Sequence, residues 1–158
     1  MREIVTRSTG ETEQAGEAFA RTLSGGCVVA LLGGLGHGKT AFVRGMAAGR
    51  GLCAEVSSPT FALVHDYGGS PPLVHFDMYR VTSWDDLYST GFFDYVDSGA
   101  IVVVEWSENV LGALPEGTVF VRIDRLSDSE RRITIGAPAP KETPAPSSAA
   151  IRGEEEDA

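Results

Sequence analysis

The sequence predicts an α/β domain in which a mostly parallel central sheet is flanked by helices. An apolar run, Cys27–Leu32, is too short for a helix and does not alternate with polar residues, which is typical of a buried central strand. A glycine-rich segment follows this run, and a helical pattern over Ala41–Gly49 follows the glycines. Further short apolar runs, separated by turn and cap residues, complete the alternation of strands and helices.

The N-terminal pattern predicts a strand followed by a helix. Ile4–Thr6 has the composition of a short strand. Ser8 and Glu11 have the spacing of a capping box, in which side chains satisfy the free N–H groups of the first helical turn. Apolar residues then recur at helical spacing up to Gly25 and Gly26, where the sequence predicts the end of the helix.

Five more strands and one more helix are predicted after the glycine-rich segment. The run IVVVE is apolar up to its glutamate, whereas TVFVRID alternates, so the first is expected at the centre of the sheet and the second nearer an edge. Ser83 and Asp86 have the pattern of a helix cap. The predicted strands span Phe61–Tyr67, Leu73–Asp77, Ala100–Trp106, Thr118–Asp124 and Arg131–Ile135.

The composition divides the chain into one domain and a tail. At 158 residues the chain has about the size of one ordinary domain. The composition changes at Pro138, so residues 1–137 are predicted to form the domain. Residues 138–158, rich in proline and ending in an acidic run, are predicted to form a disordered tail.

Charge and hydropathy exclude two classes of function. The formal net charge of −9 argues against a broad electrostatic grip on nucleic acid, which needs clustered lysine and arginine. No apolar run approaches the length of a membrane span, and Met1–Ser8 lacks the apolar core of a signal peptide. A cytoplasmic location without membrane association is therefore expected.

The segment GGLGHGKT (Gly33–Thr40) matches the pattern G-x-x-x-x-G-K-[ST] at every fixed position, between a predicted strand and a predicted helix. Glycines allow the turns that point successive N–H groups at phosphates, and the helix N-terminus adds positive potential. Lys39 is expected at the β- and γ-phosphates and the Thr40 hydroxyl on Mg²⁺, whereas His37 needs to contribute only its backbone. The sequence therefore predicts a P-loop that binds a nucleoside triphosphate.

Two acidic residues, Asp77 and Glu105, each end a predicted strand. Open α/β sheets bind ligands at the carboxyl ends of their strands, and Mg²⁺ takes one or two carboxylates beside the phosphates. The alternatives are a turn or helix cap for Asp77 and a charge that merely ends a buried run for Glu105. His75 and Asp77 form an H-x-D pair, but no third ligand has a suitable spacing, so a zinc site is not expected.

Three further features allow two interpretations each. Ser57–Phe61 lies where P-loop proteins often have a nucleotide-sensing switch, and it is equally typical of an ordinary loop with a turn at Pro59. Trp106 either stacks on a base or fills the core. Tyr79 and Arg80 are either functional or an ordinary surface pair.

Four segments resemble the TsaE family of small P-loop ATPases, which are needed for bacterial threonylcarbamoyladenosine formation on tRNA. They are GGLGHGKTAFVRG (Gly33–Gly45), SSPTFALVHDY (Ser57–Tyr67), HFDMYR (His75–Arg80) and VVEWSE (Val103–Glu108). They occur in the family's order and approximate spacing, and the resemblance covers about residues 3–135.

The resemblance implies roles for individual residues. The implied ATP-binding residues are Gly33, Leu35, Gly36, His37, Gly38, Lys39, Thr40 and Ala41. The implied catalytic residues are Lys39, Asp77 and Glu105, and the implied ligands of Mg²⁺ are Thr40, Asp77 and Glu105. The residues implied to lie in a switch or near the nucleotide are Ser58, Thr60, Tyr79, Arg80 and Trp106.

The resemblance also implies an ATPase that acts with TsaD and TsaB, does not itself make the modified nucleoside, and contacts tRNA only indirectly. Slow turnover is expected without the partners. The chain departs from the family at Gly34, His37 and Ser107, where aspartate, alanine and proline are common. These departures remove no phosphate-binding group or metal ligand, so they bear on turnover rate and loop geometry.

Three rival functions share the phosphate-binding segment. A small-molecule kinase usually carries an arginine-bearing lid, and no such insert is visible in the sequence. A GTP-dependent switch would need a guanine-reading N-K-x-D pattern, which is also not visible. A non-catalytic, nucleotide-dependent interaction module stays open, because binding and hydrolysis use nearly the same residues.

Overall fold

The computed structural model describes residues 1–34, 37–52 and 64–140, and within these ranges the chain forms seven strands and four α-helices. The strands are β1 (Arg2–Thr6), β2 (Val28–Leu32), β3 (Val64–Gly69), β4 (Pro72–Asp77), β5 (Ile101–Glu105), β6 (Val119–Arg125) and β7 (Arg131–Ile135). The helices are α1 (Thr9–Ala20), α2 (Lys39–Gly49), α3 (Trp84–Ser89) and α4 (Phe92–Asp97), and short 3-10 turns lie at Ser107–Asn109 and Leu111–Ala113. None of the described helices is long and apolar enough to cross a membrane.

Two predictions fall partly outside the described residues. The strand predicted over Phe61–Tyr67 is seen from Val64 onward, as β3. Of the tail predicted over 138–158, residues 141–158 lie outside the described ranges, so the tail and the division of the chain at residue 137 stay predictions.

The seven strands form one mixed sheet in the order β1-β7-β6-β2-β5-β4-β3. The four central strands, β6, β2, β5 and β4, are parallel, whereas β1 and β7 on one side and β3 on the other pair antiparallel. The α/β fold predicted from the sequence is confirmed, with the parallel strands at its centre and antiparallel strands at both edges. The strands β5 (IVVVE) and β6 (in TVFVRID) both flank the central strand β2 and are each third from an edge, so the prediction that TVFVRID lies nearer an edge is wrong. Every residue of β5 is buried, whereas β6 is less buried on one face, and this difference in burial accounts for its alternation.

Apolar side chains of the central strands alternate between two cores on opposite faces of the sheet. In β5, Val103 belongs to the core shared with α1 and α2, and its neighbour Val102 belongs to the core shared with α3 and α4. The helices contribute Phe19, Phe42 and Met46 to the first core and Leu87 and Phe92 to the second. Burial on both faces explains why β5 is a continuous apolar run.

Side-chain caps begin two of the helices. The Ser8 hydroxyl oxygen accepts the Glu11 N–H at 3.1 Å at the start of α1, and the Ser83 hydroxyl oxygen accepts the Asp86 N–H at 3.0 Å at the start of α3. Both caps confirm the predicted starts. The sequence patterns miss α4, because it begins after Gly91, which has no side chain to form a cap.

The first helix ends earlier than the sequence predicts. α1 stops at Ala20 and does not continue to Gly25 and Gly26. The Thr22 N–H and hydroxyl both donate to the carbonyl oxygen of Phe19, at 3.0 and 2.7 Å. These i to i−3 hydrogen bonds replace the i to i−4 bonds of an α-helix. The helix therefore ends near Thr22 and not at the glycines.

The backbones of α1 and α2 touch where glycines remove the side chains. A Cβ atom added to Gly45 would lie 1.9 Å from the carbonyl oxygen of Glu13, and one added to Gly16 would lie 2.1 Å from the carbonyl oxygen of Phe42. Both distances are far below van der Waals contact. α2 begins at the glycine-rich segment, so this close approach fixes the position of the helix that carries Lys39.

The substitution Gly45→Ala is expected to destabilise the protein by about 2–3 kcal/mol, since the added methyl group collides with backbone and forces the helices apart. Urea denaturation of the nucleotide-free protein measures the free energy of unfolding. Gly10→Ala is the matched control in the first turn of α1, where an added Cβ meets only the Ser8 hydroxyl at 3.8 Å. The control should be neutral or stabilising by up to about 1 kcal/mol, and equal effects of both changes would contradict the helix contact.

Candidate functional site

The glycine-rich segment lies between the carboxyl end of β2 and the start of α2, as the sequence predicts. Gly33 has φ of 137°, and a Cβ atom added to it would lie 2.4 Å from the carbonyl oxygen of Ile123 in β6. Gly38, the residue before α2, has φ of 96° and offers no side-chain cap to the helix. The first-turn N–H groups of α2 therefore have no capping side chain, as in helices that bind anions at their N-terminus.

Lys39 is folded back over the glycine-rich segment. Its side chain is almost fully buried, and Nζ donates a hydrogen bond to the carbonyl oxygen of Gly33 at 3.0 Å. Nζ also lies 5.2 Å from the ring centroid of Trp106, within the range of a cation–π contact. Thr40 and Ala41 follow in the first turn of α2, with Thr40 half-buried and Ala41 buried.

His37 contributes its side chain as well as its backbone. The Gly34 N–H donates to Nδ1 of His37 at 3.2 Å, and the same nitrogen lies 3.3 Å from the carbonyl oxygen of Ile123. The imidazole therefore makes contacts of its own, while the expectation that only the backbone of His37 is needed at the phosphates stays a prediction. No spacing in the sequence reveals the contact, because it joins the segment to β6, 86 residues away.

Asp77 and Glu105 end neighbouring parallel strands and lie opposite each other in the register of β4 and β5. Both side chains are buried, with exposed fractions of 9% and 4%. One oxygen of Asp77 accepts the Tyr79 N–H at 2.9 Å, so the alternative role of Asp77 in a turn is also present. The structure brings together the two carboxylates that the sequence predicts at this edge of the sheet.

Burial is the main reason why the pKa of Asp77 is raised above its usual value. The Tyr79 N–H opposes the rise, the charge of Glu105 adds to it, and His75 and Lys39 lower the pKa. A carboxylate with a raised pKa at the end of a buried strand gains from a nearby cation. The site thus has the electrostatic character expected of a place that receives positive charge.

Hydrogen bonds between the segments that follow β4 and β5 stabilise the site. Nδ2 of Asn109 donates to the carbonyl oxygens of Met78 and Tyr79, at 2.8 and 3.2 Å, and the Met78 N–H donates to the carbonyl oxygen of Glu105 at 3.0 Å. These bonds tie the turn after β4 to the segment after β5. Asn109 is not among the residues that the sequence predicts for the site, because it has no distinctive spacing relative to the motifs.

Trp106 adopts a left-handed backbone conformation directly after Glu105, with φ of 58°. Within the described ranges it is the one residue other than glycine with positive φ. Its ring is half-buried against the second core and packs on Tyr79, with 4.9 Å between ring centroids. The strained conformation places the ring beside Lys39, so Trp106 both packs on the core and borders the site.

The remaining predicted residues lie on the surface or outside the described ranges. Tyr79 is 60% exposed, and Arg80 is also exposed on the turn after β4. Leu35, Gly36, Ser58 and Thr60 lie outside the described residues. Among the described residues, no group of three His, Cys, Asp or Glu side chains is arranged to hold a metal ion.

Comparisons with known proteins agree on one family. A family model described as threonylcarbamoyl adenosine biosynthesis protein TsaE matches residues 6–133. The tRNA threonylcarbamoyladenosine biosynthesis protein TsaE of Treponema pallidum is 41% identical over 131 residues, which cover 83% of this chain and 97% of that protein. The protein of the same name from Bacillus subtilis is 36% identical over 128 residues, which cover 80% of this chain and 80% of that protein. A crystal structure of Bacillus subtilis YdiB aligns with a TM-score of 0.74 and 31% identity, covering 87% of this chain and 86% of that one.

The substitution Asp77→Asn is expected to raise the free energy of unfolding at neutral pH. A carboxyl group whose pKa is raised by folding holds its proton more tightly in the folded state, so its contribution to stability falls as the pH rises above 3.8, the unfolded value, through the folded pKa. Asparagine keeps an acceptor for the Tyr79 N–H and carries no charge. Urea denaturation of the metal-free protein across this pH range measures the difference, which should vanish below pH 3.8.

The control for this prediction is Asp66→Asn. A side-chain oxygen of Asp66 accepts the Gly68 N–H at 2.8 Å. Asp77 makes the same kind of contact with the residue two positions later, but the side chain of Asp66 is exposed. The control should change stability by less than about 0.5 kcal/mol. A neutral-pH loss of stability in Asp77→Asn would contradict the assignment of burial as the dominant influence on this carboxyl group.

Proposed function

The chain belongs to the TsaE family, and from this premise we propose that it binds and hydrolyses ATP with Mg²⁺ as a component of tRNA threonylcarbamoyladenosine biosynthesis. One observation carries the proposal. The glycine-rich segment and Lys39 lie at the same edge of the sheet as two buried carboxylates, Asp77 and Glu105. Phosphate-binding groups and acidic groups are therefore adjacent, as ATP hydrolysis requires.

The proposed phosphate site uses backbone, charge and helix end together. N–H groups of the glycine-rich segment and of the first turn of α2 donate to phosphate oxygens. Lys39 exchanges its hydrogen bond to the Gly33 carbonyl oxygen for the β- and γ-phosphates. Its short distance from that carbonyl supports the proposal, because the ammonium group already lies over the segment.

The residues present fit Mg²⁺. Asp77 and Glu105 offer carboxylate oxygens at neighbouring strand ends, and Thr40 offers a hydroxyl in the first turn of α2. Burial disfavours the charge of Asp77, as its raised pKa indicates, and a bound cation offsets this cost. Mg²⁺, when bound, supplies positive charge that balances the charge of the β- and γ-phosphates. In our proposal Thr40, Asp77 and Glu105 hold it, and one of the two carboxylates also orients the attacking water.

The proposed partners are TsaD and TsaB. A net charge of −9 favours a protein partner over direct contact with tRNA, so the chain acts on tRNA only indirectly. In this scheme Ser58 and Thr60 form a switch that responds to the nucleotide, and Tyr79, Arg80 and Trp106 lie near it. In this scheme the partners complete the site, so the isolated protein hydrolyses ATP slowly and the partners stimulate it. The proposed location of the protein is the cytoplasm.

The substitution Lys39→Ala is expected to lower partner-stimulated ATP hydrolysis by about a hundredfold or more, because it removes a positive charge from the phosphates. Phosphate release is measured for the protein alone and with TsaD and TsaB. Lys141→Ala is the matched control, since Lys141 is the other lysine of the chain and lies beyond the region that matches the family model.

Each outcome separates the proposal from its rivals. Stimulated hydrolysis that is lost in Lys39→Ala and kept in Lys141→Ala supports the ATPase. Nucleotide-dependent binding of the partners without phosphate release indicates a non-catalytic interaction module. Transfer of phosphate to a small acceptor indicates a kinase, and unchanged turnover in Lys39→Ala refutes the role of the glycine-rich segment.

A further inference from the structure

His75 is a fully buried histidine at the edge of the candidate site. Its exposed fraction is 0%, and it lies in the middle of β4. Within the described part of the chain, neither of its ring nitrogens makes a hydrogen bond. A buried imidazole without hydrogen bonds is costly, and an apolar residue of similar size would fill the same space at less cost, so its presence calls for a functional explanation.

The neighbours of His75 indicate what the imidazole does. His75 and Asp77 are two residues apart on β4, so their side chains share one face of the sheet. Glu105 lies level with Asp77 on β5, and Nε2 of His75 is 3.5 Å from Oε2 of Glu105. The imidazole therefore lies next to the Glu105 carboxylate, on the face of the sheet that packs against α2.

We infer that His75 is a positioning residue for Glu105, whose carboxylate it orients by donating a hydrogen bond from Nε2 to Oε2. This inference rests on the proposed function, in which Glu105 acts on the ion and the water. The separation of 3.5 Å is slightly longer than a good hydrogen bond, and such contacts shorten when the ligand is bound. Hydrogen bonds of this kind fix the orientation of carboxylates that bind metals.

Two other roles fit His75 less well. A direct bond to Mg²⁺ is disfavoured, because this ion prefers oxygen ligands. Simple core packing does not explain a polar ring whose nitrogen points at a carboxylate. Positioning accounts both for the burial of the ring and for the orientation of Nε2 toward Glu105.

The test compares two amides of different length. In His75→Gln the amide nitrogen reaches the place of Nε2, whereas in His75→Asn it reaches only the place of Nδ1. Both variants bury a neutral amide, so they share the general cost of the change. With TsaD and TsaB present and Mg²⁺ in excess, His75→Asn should lose about ten- to a hundredfold in kcat for ATP and raise KM by about tenfold, whereas His75→Gln should retain both kcat and KM within about threefold.

A second measurement does not depend on hydrolysis. Affinity for the slowly hydrolysed analogue ATPγS is measured with and without Mg²⁺, and the gain that Mg²⁺ provides should fall about tenfold in His75→Asn and persist in His75→Gln. In the Glu105→Gln background, adding His75→Asn should change this gain by less than about twofold, because the carboxylate that His75 positions is already gone. Equal losses in both amide variants, or an undiminished effect in the Glu105→Gln background, would overturn the inference.

A third measurement concerns the free protein. The chain has three histidines, and ¹⁵N NMR of the imidazole nitrogens, with the His75 signal assigned by its loss in His75→Gln, shows which ring nitrogen carries hydrogen. A proton on Nε2 supports the positioning role, and an unprotonated Nε2 refutes it. If the wild-type protein binds no nucleotide, the proposed function fails, and this signal still decides whether His75 donates to Glu105.

Discussion

The parallel pairing of β4 with β5, and of β5 with β2, brings the groups of the candidate site together. Parallel strands end at the same edge of a sheet, so Asp77 and Glu105 become neighbours although they are 28 positions apart in the sequence. On the other side of β5, the end of β2 delivers the glycine-rich segment and α2 to the same edge. A shift of one residue in the pairing of β4 with β5 would turn one of the two carboxylates to the opposite face of the sheet.

The apolar cores allow this edge of the sheet to hold polar groups at a cost. Lys39, His75, Asp77 and Glu105 are all buried within a small region, and Trp106 adds a strained backbone next to them. Each of these features disfavours folding when considered alone. The continuous apolar strands and the helices on both faces supply the burial that offsets them, so the same strands and helices carry both the apolar cores and the polar groups of the site.

Local sequence patterns predict most of the fold because the strongest signals are local. The buried strand at β2, the serine caps of α1 and α3, and the glycine segment each depend on residues close in sequence. The end of α1 and the existence of α4 are not predicted, since a threonine hydroxyl ends the first and no cap begins the second. These errors arise where a weak local signal competes with a more obvious one.

Where the chain is described, the predicted site residues lie at the strand and helix ends that the sequence indicates, but their contacts are not predictable from spacing. The register of β4 and β5 follows from the fold, and the sequence anticipates that both acids lie at strand ends. The contact between the Nδ1 atom of His37 and β6, the amide of Asn109 on the Met78 carbonyl and the imidazole of His75 beside Glu105 join segments distant in sequence. Such contacts require the three-dimensional arrangement.

The stacking of the Lys39 ammonium on Trp106 gives the site an optical reporter. The emission of an indole depends on nearby charge, and Nζ of Lys39 lies 5.2 Å from the centre of this ring. The chain contains two tryptophans, and the other, Trp84, belongs to α3, so each signal can be separated by one substitution. Movement of Lys39 relative to the ring is therefore expected to change the fluorescence of Trp106, which offers a way to follow the lysine in solution without attaching a label.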